Sequence, residues 1–129
     1  MKIYRNPDSV HKPLAAYSHQ VELDANEKVL ILSGQVGMAK DGSLPENSAE
    51  QLKLALENIR ANLKAADMEI RDLVKVNFYL VGQMDAERRH SIISEFFGAH
   101  QPCMTLVYVA ALAAPEFKVE IEATASKSQ

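Results

Sequence analysis

QPCMTLVYVAALAAPEFKVEIEATA, which spans residues 101–125, is the stretch of sequence that decides the fold. It predicts two strands, Met104–Val109 and Phe117–Ala125, because most of its residues are apolar and β-prone. Glu120 and Glu122 nevertheless lie inside the second strand. A carboxylate is costly to bury unless it is paired or hydrogen-bonded. The stretch therefore forms either an exposed sheet face or the wall of a binding site.

The residues before this pair of strands predict four more strands and two helices. The predicted strands are Met1–Asn6, Val21–Asp24, Lys28–Gln35 and Leu73–Val81, and the predicted helices are Ser48–Ala66 and a second that is capped by Asp85 and ends near Ala99. The polar tail, residues 126–129, is expected to fray. The resulting order is β-β-β-α-β-α-β-β, which favours packing both helices on one face of the sheet.

Local signals within these elements make sharper predictions. The continuous apolar run Val29–Leu32 predicts a strand that is buried on both faces. Gly34, near the end of that strand, predicts a bulge or a close approach of another chain segment. Ser48 and Gln51 match a capping box at the start of the first helix.

The predicted sheet has a second face that the two helices do not cover. The strand Met104–Val109 is largely apolar on both parities, so part of this second face is apolar. An uncovered apolar face favours self-association, and a closed oligomer protects exposed strands from aggregation. The predicted fold class is therefore α+β, with a mixed sheet of about six strands, two helices on one face and a second copy of the chain as partner.

Composition limits the kind of protein. The chain has 129 residues, which fits one domain covering residues 1–129. Its net charge is −3 and it has no run rich in Lys or Arg, which weighs against a nucleic-acid binder. The first residues lack an apolar signal core, and no apolar run approaches the ~18 residues of a membrane span. We expect a cytoplasmic protein with no membrane partner.

Motifs for metal or nucleophilic chemistry are missing. The sequence has no Gly-rich phosphate loop, no H-E-x-x-H and no G-x-S-x-G elbow, and its four histidines lack metal-ligand spacing, so no metal is expected. The lone Cys103 is either a nucleophile or, more commonly, a small buried residue. The other candidates each also have an ordinary role in turns, packing or solvated surface; they are Tyr17, Ser33, Gly34, His90, Met104 and Glu120.

Seven segments in order carry a resemblance to a known family. They are LAAYSHQ, LILSGQV, a DG loop, EQLKLALENIRANLKAAD, VKVNFYLVGQMD, EFFGAHQPCMTLVYV and VEIEATA. With this ordered set, which covers nearly the whole chain, the sequence resembles the RidA family of YjgF type, also labelled endoribonuclease L-PSP.

The resemblance implies a fold, an assembly and an activity. It implies a chorismate-mutase-like α+β fold and a homotrimer with a central barrel, with small-molecule clefts between subunits. Active members hydrolyse reactive enamines and imines, such as 2-aminoacrylate, to keto acids and ammonia. The resemblance implies no metal and no organic cofactor for this deaminase reaction.

Several site residues carry over from the resemblance. Ser33 and Gly34 match the family's SGQ motif, and Tyr17 matches its pocket tyrosine. Glu120 matches the glutamate that positions or activates the hydrolytic water, a role suited to a partly desolvated carboxylate. His90 stands where an asparagine is common.

The carboxylate-binding position departs from the family. Where deaminases of the family read P-A-R-S, this chain reads Pro102-Cys103-Met104-Thr105, so Met104 replaces the arginine that grips the substrate carboxylate. Methionine has no charged fork, and losing such a buried contact costs roughly 2–5 kcal/mol of binding. Arg88 or Arg89 could instead reach a cleft from a neighbouring subunit.

Three functions remain open on the sequence. The first is an imine or enamine hydrolase with a substrate other than 2-aminoacrylate, in which Glu120 activates water and Ser33, Gly34 and Thr105 make polar contacts. The second is a trimer that binds a metabolite without catalysis, which the apolar Met104 favours. The third is a ribonuclease or translation inhibitor, against which the acidic balance argues.

Overall fold

Six strands and two helices follow one another in the predicted order in a computed structural model that describes residues 1–129. The strands are β1 Lys2–Arg5, β2 Gln20–Leu23, β3 Glu27–Val36, β4 Leu73–Leu80, β5 Cys103–Tyr108 and β6 Val119–Ser128. The helices are α1 Ser48–Ala65 and α2 Ala86–Phe97, and a short 3₁₀ turn, Ile70–Asp72, leads into β4.

The strands pair into two ladders. The main sheet has the order β3-β6-β4-β5, in which β6 is antiparallel to both neighbours and β5 is parallel to β4. Strands β1 and β2 pair only with each other, antiparallel. The predicted α+β class with six strands, a mixed sheet and two helices is confirmed, but four strands rather than six make up the main sheet.

The helices cover one face of the main sheet, as predicted. Alternate residues of β4 are almost fully buried on this face, because α1 and α2 pack their apolar stripes against them. The side chains at its centre are Leu52, Leu56, Ile59, Val76, Phe78, Leu80, Phe97 and Ile121. Neither helix is long and apolar enough to cross a membrane.

The other face of the main sheet, which we call the open face, is uncovered within one chain. Leu30 and Leu32 pack against the core, whereas Val29 is 53% exposed and Ile31 is 78% exposed. The prediction that Val29–Leu32 is buried on both faces is therefore wrong for the single chain. The reason is that both helices pack on the same side, so that only every second residue of β3 finds a covering element.

The start of α1 differs from the predicted capping box. Asn47, not Ser48, is the N-cap residue, and its side chain accepts a hydrogen bond from the Glu50 backbone N–H at 3.1 Å. Gln51 is fully buried, with no role in capping. Its amide donates to the backbone oxygens of Pro45 and Glu116 and accepts from the Lys118 N–H. Gln51 thus joins the segment before α1 to the segment before β6.

The cap of α2 at Asp85 is as predicted and the helix ends at Phe97, slightly before the predicted Ala99, but the polar tail is not frayed. The Asp85 side chain accepts from the Arg88 N–H at 3.3 Å, and Gly98 ends α2 with a φ of 58°. Ser126 is fully buried in β6, paired with β3, and its hydroxyl donates to Glu27 at 2.6 Å. The hydroxyl groups of the tail find hydrogen-bonding partners inside the sheet, which composition alone does not reveal.

Candidate functional site

The predicted site residues fall on two surfaces of the chain. One is a cavity of about 450 Å³ between residues 14–17, α2 and β5, which we call the helix-side pocket. The other is the open face around Gly34 and Glu120. Of the predicted residues, Tyr17, His90, Met104 and Thr105 line the helix-side pocket.

Strand register places Met104 in the helix-side pocket. On β5, Met104 and Leu106 pair with Val76 and Phe78 of β4, whose side chains are buried on the helix side. Since residues two apart in a strand share a face, Met104 and Leu106 point to that side as well. Met104 packs against the core and also lines the cavity, so the pocket wall is apolar at the position where the resemblance implies an arginine.

Backbone contacts hold the loop that carries Tyr17. The Tyr17 hydroxyl accepts a hydrogen bond from the Leu14 N–H at 3.1 Å, which tightens the loop. Ser18 ties the loop to the segment before β5, because its hydroxyl donates to the Gln101 oxygen and its N–H donates to the Pro102 oxygen. The loop therefore forms a fixed wall of the helix-side pocket.

Two polar residues named for the pocket, His90 and Thr105, each contact a neighbouring side chain. The exposed His90 has its Nε2 3.4 Å from the Ser94 hydroxyl, one turn further along α2. The Thr105 side chain points to the open face, because it alternates with Met104 and Leu106, and its hydroxyl accepts from the Lys75 ammonium at 2.8 Å; only its backbone can line the pocket. Thr105 is thus engaged with a neighbouring strand, and its predicted polar contact with a ligand stays a prediction.

Gly34 and Glu120 lie against each other on the open face. The ladder between β3 and β6 is interrupted by a bulge between Leu32 and Gln35, which confirms the bulge predicted at Gly34. A Cβ atom at position 34 would overlap the Glu120 carboxylate, so glycine alone leaves room for this side chain. Ser33 is exposed in the same bulge.

Glu122, two residues further along β6, differs from Glu120 in its hydrogen bonds. The Tyr79 hydroxyl donates to its carboxylate at 2.5 Å, and the Asn77 amide donates at 3.0 Å. The Tyr79 bond, followed by the Asn77 bond, lowers the pKa of Glu122, while the same contact raises the pKa of Tyr79. No side chain donates to the half-buried Glu120. Glu120 is thus the carboxylate with free acceptor positions.

Cys103 does not line the helix-side pocket. It pairs with Lys75 at the start of β5 and is half-buried. Burial raises the pKa of its thiol, which outweighs the opposing effect of Lys75. A raised pKa disfavours the thiolate and a role as nucleophile. No three His, Cys, Asp or Glu side chains come close enough together to hold a metal ion.

Met104 and Glu120 do not meet within one chain. Met104 pairs with Val76, whereas Glu120 pairs with Tyr79, and residues 76 and 79 lie on opposite faces of β4. The bulge that holds Gly34 is in β3, and β3 and β5 are the two edges of the main sheet. The predicted residues therefore form two separate half-sites.

The fold and these half-sites define a small α+β protein with an edge pocket and an uncovered sheet face. The chain belongs to the Endoribonuclease L-PSP family, which matches residues 8–127. This confirms the resemblance to the RidA and YjgF proteins.

Similar proteins cover nearly the whole chain. YyfB from Yersinia pestis, of the conserved Rid protein family, has a TM-score of 0.83 at 28% identity and covers 96% of this chain and 97% of its own. A RutC family protein of Pyrococcus horikoshii is 30% identical over 122 residues, which are 93% of this chain and 94% of that protein.

A third relative is TdcF of Escherichia coli, which is named as a candidate reactive intermediate deaminase. It is 31% identical over 104 residues, which are 78% of this chain and 80% of that protein. Its crystal structure with bound serine has a TM-score of 0.72 at 27% identity, and covers 92% of this chain and 91% of its own.

Proposed function

We propose that this protein is an imine or enamine hydrolase whose active site forms between copies of the chain. The Gly34–Glu120 half-site of one copy would face the helix-side pocket of the next. The observation that carries the proposal is the Glu120 carboxylate, which has no side-chain hydrogen-bond donor and lies over a glycine that leaves it room. The family membership supports the reaction class.

The positions of the half-sites support a ring of copies. They lie on opposite faces of the main sheet, and β3 and β5 each have one unpaired edge. A contact between two different surfaces of the same chain closes into a ring when the rotation permits. Ile31, at 78% exposure, and Val107, at 40%, would be covered in such an assembly. The RidA resemblance implies a ring of three.

Glu120 would act as a general base on water. The carboxylate takes a proton from the water, whose oxygen bonds to the imine carbon while the nitrogen is protonated. The resulting carbinolamine loses ammonia and leaves a keto compound, so that one water is consumed for each ammonia released. A positioned general base contributes about 10²- to 10⁴-fold to such a rate.

Met104 argues against 2-aminoacrylate as the preferred substrate. That compound is small, and its carboxylate is its strongest recognition group. The apolar wall that Met104 and Leu106 form in the pocket offers no hydrogen bond to a carboxylate. A substrate with a larger apolar group fits this wall better.

The hydrolase proposal is tested with imino acids generated in the cuvette by an amino-acid oxidase, with semicarbazide to trap the remaining imine. We expect wild-type protein to remove the imine, and Glu120→Gln to lower kcat/KM by about 10²- to 10⁴-fold. Glu122→Gln is the matched control, because its carboxylate is already occupied by Tyr79 and Asn77. If no imine disappears faster with protein than without it, the proposal fails.

A second function is a binding protein without catalysis, and the apolar Met104 is the observation that favours it. Such a protein would be stabilised by a stable keto acid or a neutral analogue in a thermal-shift measurement, yet Glu120→Gln would leave that stabilisation unchanged. A ribonuclease function has less support, since four of the five arginines are paired with carboxylates.

A further inference from the structure

We propose that Arg89 is the anion-binding group of the helix-side pocket, and that the pocket takes a small carboxylate with a bulky apolar group. The inference rests on the proposed function in that it concerns the same pocket and names its ligand class. It requires binding alone, so that it can be tested without turnover.

Arg89 differs from every other arginine in the chain. The other four each have a carboxylate partner within 4 Å; the pairs are Arg5–Glu22 at 2.6 Å, Arg71–Glu69 at 2.9 Å, Arg60–Glu57 at 3.1 Å and Arg88–Glu50 at 3.8 Å. Arg89 forms no ion pair, although the chain has more acidic than basic residues. Its charge is therefore available to an anion from outside the chain.

The Arg89 guanidinium is held in place by a neutral group. Its Nη1 donates to the Tyr108 hydroxyl at 2.8 Å, and its Cζ lies 6.0 Å from the centre of the Tyr108 ring. Arg89 is half-buried, on the first turn of α2. A guanidinium has five N–H donors, so one bond to Tyr108 orients the group and leaves the other N–H donors for a carboxylate.

The rest of the helix-side pocket complements an acid with an apolar body. No Asp or Glu lines the cavity, so nothing in it repels an anion or neutralises Arg89. The apolar part of the wall includes Ile93, Phe97, Met104 and Leu106. Its volume, about 450 Å³, lies in the range of ligand sites, and exceeds the need of a three-carbon acid. The carboxylate would contact Arg89 while the apolar group packs against Met104.

Three probes separate charge from apolar contact. Phenylacetate has both features, phenylacetamide has the same shape without charge, and acetate has the charge without the ring. Isothermal titration calorimetry on the wild-type protein is expected to give the tightest binding for phenylacetate, with at least 10-fold weaker binding for each of the other two. Equal affinity for phenylacetate and phenylacetamide would overturn the proposal.

Two neighbouring variants then locate the anion. Arg89→Gln should weaken phenylacetate binding by about 10- to 100-fold, because it removes a charged hydrogen-bond donor. Arg88→Gln is the matched control and should leave binding unchanged, since Arg88 pairs with Glu50 and does not line this pocket. Unchanged binding in Arg89→Gln would overturn the assignment. If Arg89→Gln does not fold, Arg89→Lys, which retains the charge but loses the fork, is measured instead and should bind several-fold more weakly.

The outcome is independent of the hydrolase assay. Imine hydrolysis without selective phenylacetate binding would leave the proposed function standing and overturn the ligand class. Selective binding that depends on Arg89, in a protein with no hydrolase activity, would establish the ligand class and overturn the proposed reaction.

Discussion

The open face and the helix-side pocket lie on the same sheet, yet they differ in the sign of the charged side chain that has no ion pair. On the open face, Glu122 accepts hydrogen bonds from two side chains, whereas Glu120 accepts none from a side chain. In the pocket there is no carboxylate at all, and Arg89 is left without an ion pair. Glu120 on the open face and Arg89 in the pocket are thus charges of opposite sign, and neither has an ion-pair partner within the chain. Under the proposed function, each of these groups contacts a ligand or a second copy of the chain.

The largest expected difference is between substitutions on the covered face and on the open face, in their effect on the free energy of unfolding. Phe78 is 1% exposed and lies between the sheet and the helices. Phe78→Ala should lower the free energy of unfolding by about 3–5 kcal/mol, because it leaves a cavity. Ile31→Ala on the open face should cost less than about 0.5 kcal/mol in the isolated chain. Urea unfolding checks both.

The same Ile31→Ala variant should weaken self-association, which light scattering after size-exclusion chromatography would detect. Equal stability losses for the Phe78 and Ile31 variants in the isolated chain would contradict the assignment of a covered and an open face.

Changing Met104 to Arg should place a second cationic group in the pocket, at the position where the RidA resemblance implies the carboxylate-binding arginine. A buried contact of this kind is worth roughly 2–5 kcal/mol, so Met104→Arg should raise kcat/KM for 2-aminoacrylate by about 30-fold or more. Met104→Leu keeps the apolar wall at similar volume and is the control. No gain with Arg, in a protein that remains folded by circular dichroism, would mean that the two half-sites do not meet around this position.

Changing Gly34 to Ala should disturb the open half-site without touching the pocket. The added methyl overlaps the Glu120 carboxylate, and a displacement of about 1 Å is expected to lower kcat about 10²-fold. Gly42→Ala is the control, because Gly42 has a φ of 89° but open space around it. That change should cost about 1–2 kcal/mol of stability and leave kcat unchanged. A normal kcat in Gly34→Ala would separate Glu120 from the chemistry.

The smallest expected effect concerns the pKa of Glu122. Its pKa is lowered in the folded chain, so the stability that it contributes is present above its ordinary pKa of 4.5 and is lost as the pH falls through the folded value. Tyr79→Phe removes the hydrogen bond that contributes most to the lowered pKa, so the Glu122 pKa should rise towards the ordinary value in an NMR titration. The decrease in the free energy of unfolding at acid pH should then become smaller. An unchanged pKa would contradict the hydrogen bond as its cause.

Structural features that depend on residues near one another in the chain could be predicted from the sequence. The strand Leu73–Val81 was predicted from a run of neighbouring β-prone residues, and the structure has it as β4, Leu73–Leu80. Asp85, as a cap, and Gly34, at a bulge, were also predicted from local chemistry.

Features that depend on distant partners were missed. Residues 126–128 are paired in β6, because β3, about 100 residues earlier, supplies their hydrogen bonds. The difference between Arg88, which has a carboxylate partner, and Arg89, which has none, likewise depends on Glu50 of α1 lying beside Arg88. The sequence predicted Glu120 and Met104 as site residues, and the strand register was needed to show that they lie on opposite faces of the sheet.

Gln51 has a consequence for the dynamics of the chain. Its side-chain oxygen accepts the Lys118 N–H, a residue 67 positions away, and its backbone lies so close to Gly37 that a Cβ there would collide with it. The Lys118 amide is therefore protected by docking of α1 rather than by a β ladder. In hydrogen–deuterium exchange, this one amide should report how often α1 lifts from the sheet, and its exchange rate should measure that opening separately from the unzipping of the strands.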